Sequence, residues 1–323
     1  MHNRDRFDEQ GYIDVPGGRV WYGVTGRAPG IPLLVLHGGP GTPHDYLRVL
    51  DGLGGERRVV FFDQLGCGRS DRPDNPELWR LPRFLKEMHA VIRYLGLRKM
   101  HLLGHSWGTT LAAAYVLEGF GGVASIVFLS PCLSIPRLIR DIAVLKSQLP
   151  EEIVEILARH ESAGTMDSVE YKVASMAFFE RHICRIYPFP KQLQKAFETR
   201  GEQVYRHMWG EVELSITGNL KDFDCTDRLG ELSMPTLLLC GREDECTPQT
   251  TARFHEQLPD SEMAVFEDSS HFISVEEPER FLATVGDFLR RVEARTQPSE
   301  GESGHAKKGR GRARERVFGE APF

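Results

Sequence analysis

The chain has 323 residues, of which 41% are hydrophobic and 27% charged, as in an ordinary globular protein. The net charge of −6 is unevenly spread, because residues 306–316 carry +5 and therefore leave about −11 on the remainder. An acidic body of this kind excludes nucleic acid as the main partner of the core. The length predicts one large domain, or one domain with an insertion.

The six cysteines are scattered, with no C-x-x-C pair and no cluster at zinc spacing. This pattern predicts free thiols in a reducing compartment and no structural metal site. Residues 1–6 are polar, and no apolar segment of signal-peptide type follows them. No run approaches the roughly 18 apolar residues that a membrane span needs. We therefore expect a cytoplasmic protein that binds no membrane.

Through residue 131 the sequence alternates between short apolar runs and helix-like segments. Two runs joined around Pro16-Gly17-Gly18 predict an opening β-hairpin over residues 12–25. Continuous apolar runs of strand length are typical of parallel strands that are buried on both faces. Such runs lie at 32–36, 57–62, 99–103 and 123–129, with helical patterns at about 81–95 and 109–117.

From residue 132 to about 222 the pattern is helical, and the strand pattern resumes at 235–239 and 263–266. The sequence therefore predicts an α/β fold whose central sheet is mostly parallel with helices on both faces. Residues 1–131 and 223–296 form this core, and residues 132–222 form a helical insertion over the sheet. Residues 297–323 predict a disordered basic tail, either solvated or a tether to nucleic acid or an acidic membrane.

The turn Gly104-His105-Ser106-Trp107-Gly108 lies between a predicted strand and an Ala/Leu-rich helix. Strand, G-x-S-x-G and helix in this order are typical of a nucleophile elbow. In an elbow the serine occupies a strained turn, with its hydroxyl exposed at the carboxyl edge of the sheet. The flanking glycines allow strand and helix to approach each other closely. Alone, the motif also fits a glycine-rich turn with an N-capping serine.

A serine nucleophile needs a general base, and the base needs a group that orients it. In this fold the chain order is Ser, then Asp or Glu, then His, on loops after late strands. Asp244 and His271 follow the last two predicted strands. Because carboxyl ends of parallel strands gather at one edge, we expect Ser106, Asp244 and His271 to converge there. Glu243 and Glu245 flank Asp244 as alternative acids.

An oxyanion hole supplies N–H donors, each worth roughly 3 kcal/mol of barrier, where negative charge develops. One donor is expected from the N–H of Trp107, the residue after the nucleophile. The other is expected from the loop after the strand at 32–36, where glycines let the backbone approach the substrate. Gly38 is the first choice and Gly39 the second.

Four motifs occur in this order along the chain: H-G-G-P-G at 37–41, D-Q-L-G-C-G-R-S at 63–70, G-H-S-W-G at 104–108 and G-R-E-D-E-C-T-P at 241–248. As a set they resemble the proline iminopeptidases, which are serine exopeptidases of the α/β-hydrolase fold. The resemblance extends over about residues 12–290. It implies an α/β-hydrolase fold in which the helical insertion is a cap that closes the active site.

The same resemblance implies that two glutamates bind the free N-terminal amine of the substrate. Glu213 and Glu245 stand at the matching positions. Carboxylates that face an ammonium in a closed site are strong, charge-assisted partners, so a blocked N-terminus would be rejected. The chain departs from the family at Thr109, where a third glycine is usual, and at Glu211-Val212, which replaces a Pro-containing pair.

The leading hypothesis is a cytoplasmic serine aminopeptidase that needs no cofactor or metal. It would release the N-terminal residue, preferably proline, from short peptides or amino-acid amides through an acyl-enzyme. An esterase, lactonase or amidase on the same fold is the nearest alternative, and it would accept substrates without a free amine. A non-catalytic, ligand-binding α/β hydrolase is the alternative from another class. Dehalogenases and epoxide hydrolases are disfavoured because their nucleophile is usually an aspartate.

Overall fold

The structure is a computed structural model that describes residues 6–296, so the predicted tail at 297–323 lies outside the described residues. Its strands are β1 (Glu9–Val15), β2 (Gly18–Thr25), β3 (Gly30–Leu36), β4 (Arg57–Phe62), β5 (Met100–His105), β6 (Val123–Leu129), β7 (Thr236–Gly241) and β8 (Ser261–Phe266). Within the described range they form one sheet in the order β1-β2-β4-β3-β5-β6-β7-β8. The first two pairings are antiparallel and the rest are parallel. The predicted α/β fold with a mostly parallel sheet is confirmed.

The α-helices are α1 (Leu81–Tyr94), α2 (Trp107–Leu117), α3 (Ile135–Ser147), α4 (Glu151–Ala163), α5 (Val169–Phe178), α6 (Lys191–Glu198), α7 (Glu202–Met208), α8 (Pro248–Gln257), α9 (Ile273–Glu276) and α10 (Pro278–Thr296). A 3₁₀ helix covers His44–Leu53, and a π-helical turn covers Phe179–Ile183 directly after α5. Between residues 6 and 296, no helix has the length and apolar character to cross a membrane.

The central strands form because their sequences are apolar on both faces. Every residue of β5 is buried, and the last four residues of β3 and the last five of β6 are buried as well. Helix α2 is buried along most of its length, as its Ala/Leu-rich sequence predicts. Strands enclosed on both sides in this way are rigid supports for the loops that leave their ends.

The parallel strands, β4 among them, place the loops that follow them at one edge of the sheet. The carboxyl ends of β3, β5, β6, β7 and β8 all lie at this edge, because these strands run in the same direction. The loops that follow them carry the glycine-rich segment 37–41, the elbow at Ser106, Asp244 and His271. In open α/β sheets this is the edge where ligands bind.

Helices α3 to α7 lie between β6 and β7 in the chain and are bonded to these edge loops. The Gly201 N–H donates to the Gly41 carbonyl at 2.9 Å. The π-helical turn is joined at two points, since the Ile183 carbonyl accepts from the Phe272 N–H and His182 Nδ1 donates to the Glu243 carbonyl at 2.7 Å. The helical insertion therefore covers the edge, and its status as a separate domain stays a prediction.

Candidate active site

Ser106 occupies a strained turn between β5 and α2. It has φ +53° and ψ −120°, a left-handed conformation that is rare for residues other than glycine. The two glycines of the motif are needed for space. A Cβ on Gly104 would lie 2.3 Å from the Gly108 carbonyl oxygen, and one on Gly108 would lie 2.2 Å from the Leu36 carbonyl oxygen. The local backbone therefore has the geometry of a nucleophile elbow.

Asp244 and His271 lie on the loops after β7 and β8 and are hydrogen-bonded to each other. His271 Nδ1 donates to Asp244 Oδ1 at 2.9 Å, and the Cys246 N–H donates to the same oxygen at 2.9 Å. Because Nδ1 is engaged, Nε2 is the ring nitrogen left for chemistry. His271 and Ser106 line the same cavity. The structure thus brings the three residues predicted from chain order to one place.

Nearby charges favour a protonated His271 in the empty cavity. Burial alone lowers the pKa of His271, but the charge and hydrogen bond of Asp244 and the charge of Glu245 raise it to about 10. The ring of His105 lies 4.7 Å from that of His271. Burial holds the pKa of His105 well below its usual range, so this neighbour is neutral.

A chain of hydrogen bonds behind His271 uses the N–H of Gly38. That N–H donates to the Tyr46 hydroxyl at 2.8 Å, and the hydroxyl is 2.8 Å from His105 Nδ1. His105 Nε2 is 3.0 Å from the carbonyl oxygen of His271. A carbonyl only accepts, so we assign the proton to Nε2, and Nδ1 accepts from Tyr46. Since the Gly38 N–H is bonded to Tyr46, the geometry favours Gly39 over Gly38 as the oxyanion donor, and the identity of the donor stays a prediction.

Gly39, the second choice, lines the cavity together with Ser106. Its φ is +112°, and an added Cβ would lie 2.5 Å from the Gly41 nitrogen, so only glycine fits. Trp107 is the first residue of α2, and its N–H therefore has no partner inside the helix. The Trp107 indole is anchored separately, since Nε1 donates to Gln64 Oε1 at 2.8 Å.

Glu213 and Glu245 line the same cavity as Ser106 and His271. The Tyr205 hydroxyl on α7 donates to Glu213 Oε2 at 2.6 Å. Glu245 is 1% exposed, and among the described residues its Oε2 has no hydrogen-bond partner. Desolvation raises the pKa of both carboxyl groups, and the charge of Glu213 raises that of Glu245 further. The pair is therefore short of a cationic partner.

The rest of the cavity lining is largely aromatic. Phe179 and Ile183 come from the π-helical turn, Phe197 from α6, and Phe272 follows His271. A π-helical turn often occurs at a functional site because it alters which side chains a helix presents. The cavity can hold a compact apolar group against this wall while an attached ammonium faces the glutamates.

Thr109, where the family usually has glycine, joins the elbow to the loop after β6. Its hydroxyl donates to the Ser106 carbonyl at 2.6 Å and accepts from the Cys132 N–H at 2.8 Å. Cys132 Sγ lies 3.8 Å from Ser106 Oγ and 3.3 Å from Cys246 Sγ. The departure at this position is therefore accommodated by two hydrogen bonds behind the serine.

Besides the apolar wall, sequence reasoning did not assign four further residues to this site: Tyr46, Cys132, Arg200 and Tyr205. Arg200 lines the cavity and stacks over the Tyr205 ring at 4.2 Å. None of the four belongs to a motif with a mechanistic spacing, and each reaches the site through tertiary packing. The one signal in the sequence was that Tyr205 lies only eight residues before Glu213, the residue predicted to bind the amine.

Within residues 6–296, one group of side chains has metal-ligand atoms close together: Asp244, Cys246 and His271, within 4.8 Å of one another. Asp244 Oδ1 already accepts from His271 and from the Cys246 backbone. A cation here would have to break the Asp244–His271 hydrogen bond. The expectation of a reaction without a metal stays a prediction.

The fold and the elbow define an α/β hydrolase, and a family model described as the alpha/beta hydrolase fold matches residues 31–278. The chain is 45% identical to a proline iminopeptidase of Heyndrickxia coagulans over 285 residues, which cover 88% of this chain and 99% of that relative. It belongs to the proline iminopeptidase family, and the resemblance seen in the four motifs is confirmed.

Two solved structures agree with this assignment. The proline iminopeptidase of Mycobacterium smegmatis is 32% identical, with a TM-score of 0.83, and the match covers 90% of this chain and all of that one. The crystal structure of VinJ is 34% identical, with a TM-score of 0.85, over 89% of this chain and all of that one. Both structures therefore share the fold described above.

Proposed function

We propose that this enzyme is a serine aminopeptidase that releases the N-terminal residue, preferably proline, from short peptides or amino-acid amides. One observation carries the proposal: the carboxylates of Glu213 and Glu245 share a cavity with Ser106 and His271. An ammonium bound between the two carboxylates holds the first carbonyl of a peptide within the same cavity as the serine. The membership of the chain in the proline iminopeptidase family supports the preference for proline.

The chemistry uses Ser106 as the nucleophile and His271 as the general base. His271 Nε2 takes the proton from Ser106 Oγ while Oγ bonds to the scissile carbonyl carbon. Asp244 holds the imidazole by its Nδ1–H and stabilises the imidazolium that forms. The N–H groups of Trp107 and Gly39 donate to the oxyanion of the tetrahedral intermediate.

The intermediate then collapses in the direction of an acyl-enzyme. His271 gives its proton to the departing nitrogen, the C–N bond breaks, and the first residue remains as an ester on Ser106. Water attacks the ester carbonyl as His271 removes its proton. The Ser106–acyl bond breaks, Ser106 regains a proton from His271, and the free amino acid leaves.

The shape of the cavity supports a small, apolar first residue. The aromatic wall of Phe179, Phe197 and Phe272 suits the compact ring of proline, which packs well and brings little conformational entropy to lose. Helices α3 to α7 cover the cavity, so a chain continuing beyond the amine would have no room between the two glutamates. This arrangement favours an exopeptidase over an endopeptidase.

A substrate panel tests the proposal. L-proline p-nitroanilide, its N-acetyl form, L-alanine p-nitroanilide and p-nitrophenyl acetate are compared with the wild-type chain and with Ser106→Ala. We expect turnover of the free-amine anilides with proline ahead of alanine, no turnover of the N-acetyl form, and loss of activity in the variant. Turnover of the acetate ester without either anilide would instead establish the esterase alternative.

The family assignment supports peptides with a free N-terminus as the partners of this enzyme, and we propose the cytoplasm as its location. All six cysteines are buried free thiols, which suits a reducing compartment. Extraction of the protein under acid quench, followed by denaturation and alkylation of its free thiols, tests this location. Recovery of Cys132 and Cys246 as a disulfide would contradict it.

A further inference from the structure

Glu245 lies between the predicted amine site and the general base. Its Oε1 is 3.9 Å from His271 Nε2, the nitrogen that must accept the proton of Ser106. Its Oε2 is buried and, within the described part of the chain, makes no hydrogen bond. The same carboxylate therefore faces the imidazole on one side and the space beside Glu213 on the other. This double contact goes beyond a role in binding an amine.

The groups around His271 are predominantly acidic. Asp244 and Glu245 face it from the loop after β7, Glu213 from the helical insertion and Cys132 from the loop after β6. His105, the last residue of β5, is neutral. Arg200 is the cation that acts on this cluster, and it does so through Glu213.

Three carboxylates enclosed with fewer cations are costly to keep fully ionised, so such a cluster retains a proton. The proton is shared between His271 and the carboxylates next to it, and the raised pKa values of His271, Glu213 and Glu245 agree with this. A substrate ammonium brings one positive charge into the same enclosed space. The positive charge of the ammonium then compensates the carboxylates, so that the cluster no longer needs the retained proton.

We propose that Glu245 couples amine recognition to the general base. In the empty site its carboxylate shares a proton with His271, and the substrate's ammonium takes the place of that proton. The proton leaves to solvent, and the Glu245 carboxylate pairs with the ammonium instead. His271 therefore becomes a neutral base only when the amine site is filled. This inference rests on the proposed function, and it makes Glu245 a positioning residue for the imidazole as well as an amine ligand.

The coupling explains selectivity in a specific way. A substrate without an ammonium meets a protonated His271, which cannot deprotonate Ser106. Loss of the amine therefore lowers kcat as well as raising KM, whereas a residue that only binds the amine would change mainly KM.

Proton release on binding tests the coupling directly. The full-length Ser106→Ala chain binds L-prolinamide without cleaving it, and calorimetry in two buffers with different ionisation enthalpies gives the protons released per ligand. We expect a release approaching one proton at neutral pH, and a release near zero when Glu245→Gln is added. The matched control is Glu243→Gln, which removes the half-exposed neighbour paired with Arg181 and should leave the release unchanged. Equal release with and without Glu245 would overturn the inference.

A second measurement needs no variant of Glu245. The pH profile of kcat/KM for p-nitrophenyl acetate reports the base in the free enzyme, and that of kcat for L-proline p-nitroanilide reports it in the complex. We expect the first apparent pKa to exceed the second by at least about one unit, or tenfold in proton affinity. Equal values would contradict the coupling and leave the aminopeptidase intact. Absence of anilide turnover would instead contradict the proposed function.

Discussion

At the scale of single residues, the orientation of His271 depends on hydrogen bonds to its ring and to its backbone carbonyl. Its ring is held by Asp244 through Nδ1, and its backbone carbonyl accepts from His105 Nε2 and from the Ser130 hydroxyl, each at 3.0 Å. The imidazole is thus positioned by side chains from the last residue of β5 and from the loops after β6 and β7. This agrees with a base that must meet Ser106 at a fixed angle.

Replacing Asp244 with asparagine tests the ring contact. The amide cannot stabilise an imidazolium and favours the wrong tautomer, so we expect kcat for L-proline p-nitroanilide to fall by about 10³ to 10⁴. The melting temperature serves as the control for folding. A loss of less than about tenfold would show that another acid, such as Glu243, orients His271.

Tyr46→Phe tests the hydrogen-bond chain that begins at Gly38. The variant removes the acceptor of a buried N–H and the donor to His105, so the free energy of unfolding should fall by about 1–3 kcal/mol. Urea denaturation measures this change. An unchanged free energy of unfolding would mean that the Gly38 N–H finds another partner and would reopen Gly38 as an oxyanion donor.

At the scale of elements, the nucleophile elbow is held in its strained conformation by the start of α2. Thr109 bonds the Ser106 carbonyl and the Cys132 N–H, while Thr110 donates only to the Cys132 carbonyl, at 2.6 Å. Two adjacent threonines on one helix therefore differ in whether they contact the serine itself.

We predict that Thr109→Ala lowers kcat more than Thr110→Ala does. Both variants lose hydrogen bonds in a buried region, so both should lower the free energy of unfolding by about 1–3 kcal/mol. Only the first removes a side-chain hydrogen bond to the Ser106 carbonyl, which keeps its bond from the backbone N–H of residue 109 at 2.8 Å. A small shift of the serine should cost a further tenfold or so in kcat. Anilide kinetics on the two variants decide the matter, and equal kcat values would contradict a role for Thr109 in holding the elbow.

The sequence predicted the central elements because their patterns are local. The strands at 57–62 and 123–129 have the predicted bounds, and α1 ends one residue before the predicted end. The hairpin begins three residues earlier than expected, since Glu9 to Gly11 pair with β2 although they are mostly exposed. Helix α8 and the 3₁₀ helix at His44–Leu53 carried no recognised pattern.

The residues of the active site were likewise predictable only where the signal is local to the sequence. Ser106, Asp244 and His271 were found because chain order and strand ends determine where they lie. Gly38 was preferred over Gly39 because nothing in the sequence shows that Tyr46, eight residues later, takes the Gly38 N–H. Within the helical stretch predicted at 132–222, nothing in the sequence indicated the π-helical turn at Phe179–Ile183, which gives the cavity two of its apolar side chains.

At the scale of the whole molecule, the loops of the catalytic edge depend on hydrogen bonds to a buried carboxyl group beneath them. Asp63, fully buried, accepts from His44 Nδ1 at 2.7 Å and from the Arg69 N–H at 2.9 Å. Burial alone would raise the pKa of Asp63, but His44 and the Arg69 N–H lower it to about 2. Since the folded pKa is below the unfolded value, Asp63 stabilises the fold above about pH 4, and this contribution is lost as the pH falls towards 2.

Acid unfolding tests this contribution. Between about pH 4 and pH 2 the free energy of unfolding of the wild-type chain should fall, and the fall should be smaller for Asp63→Asn by about 2 kcal/mol. At pH 7 the same variant should be less stable, because His44 Nδ1 and the Arg69 N–H lose a charged acceptor. Urea titrations across this pH range provide the comparison, and parallel curves for the two proteins would contradict the assignment.

The proposed aminopeptidase activity depends on the carboxylate pair of Glu213 and Glu245. The most direct measurement is kcat/KM of Glu213→Gln for L-proline p-nitroanilide and for p-nitrophenyl acetate. The control is Glu211→Gln, which changes an exposed glutamate two residues away that pairs with Arg206. We predict that Glu213→Gln loses at least about a hundredfold, or roughly 3 kcal/mol, on the anilide and little on the ester, while the control loses neither. Equal losses on both substrates, or none on the anilide, would contradict the account.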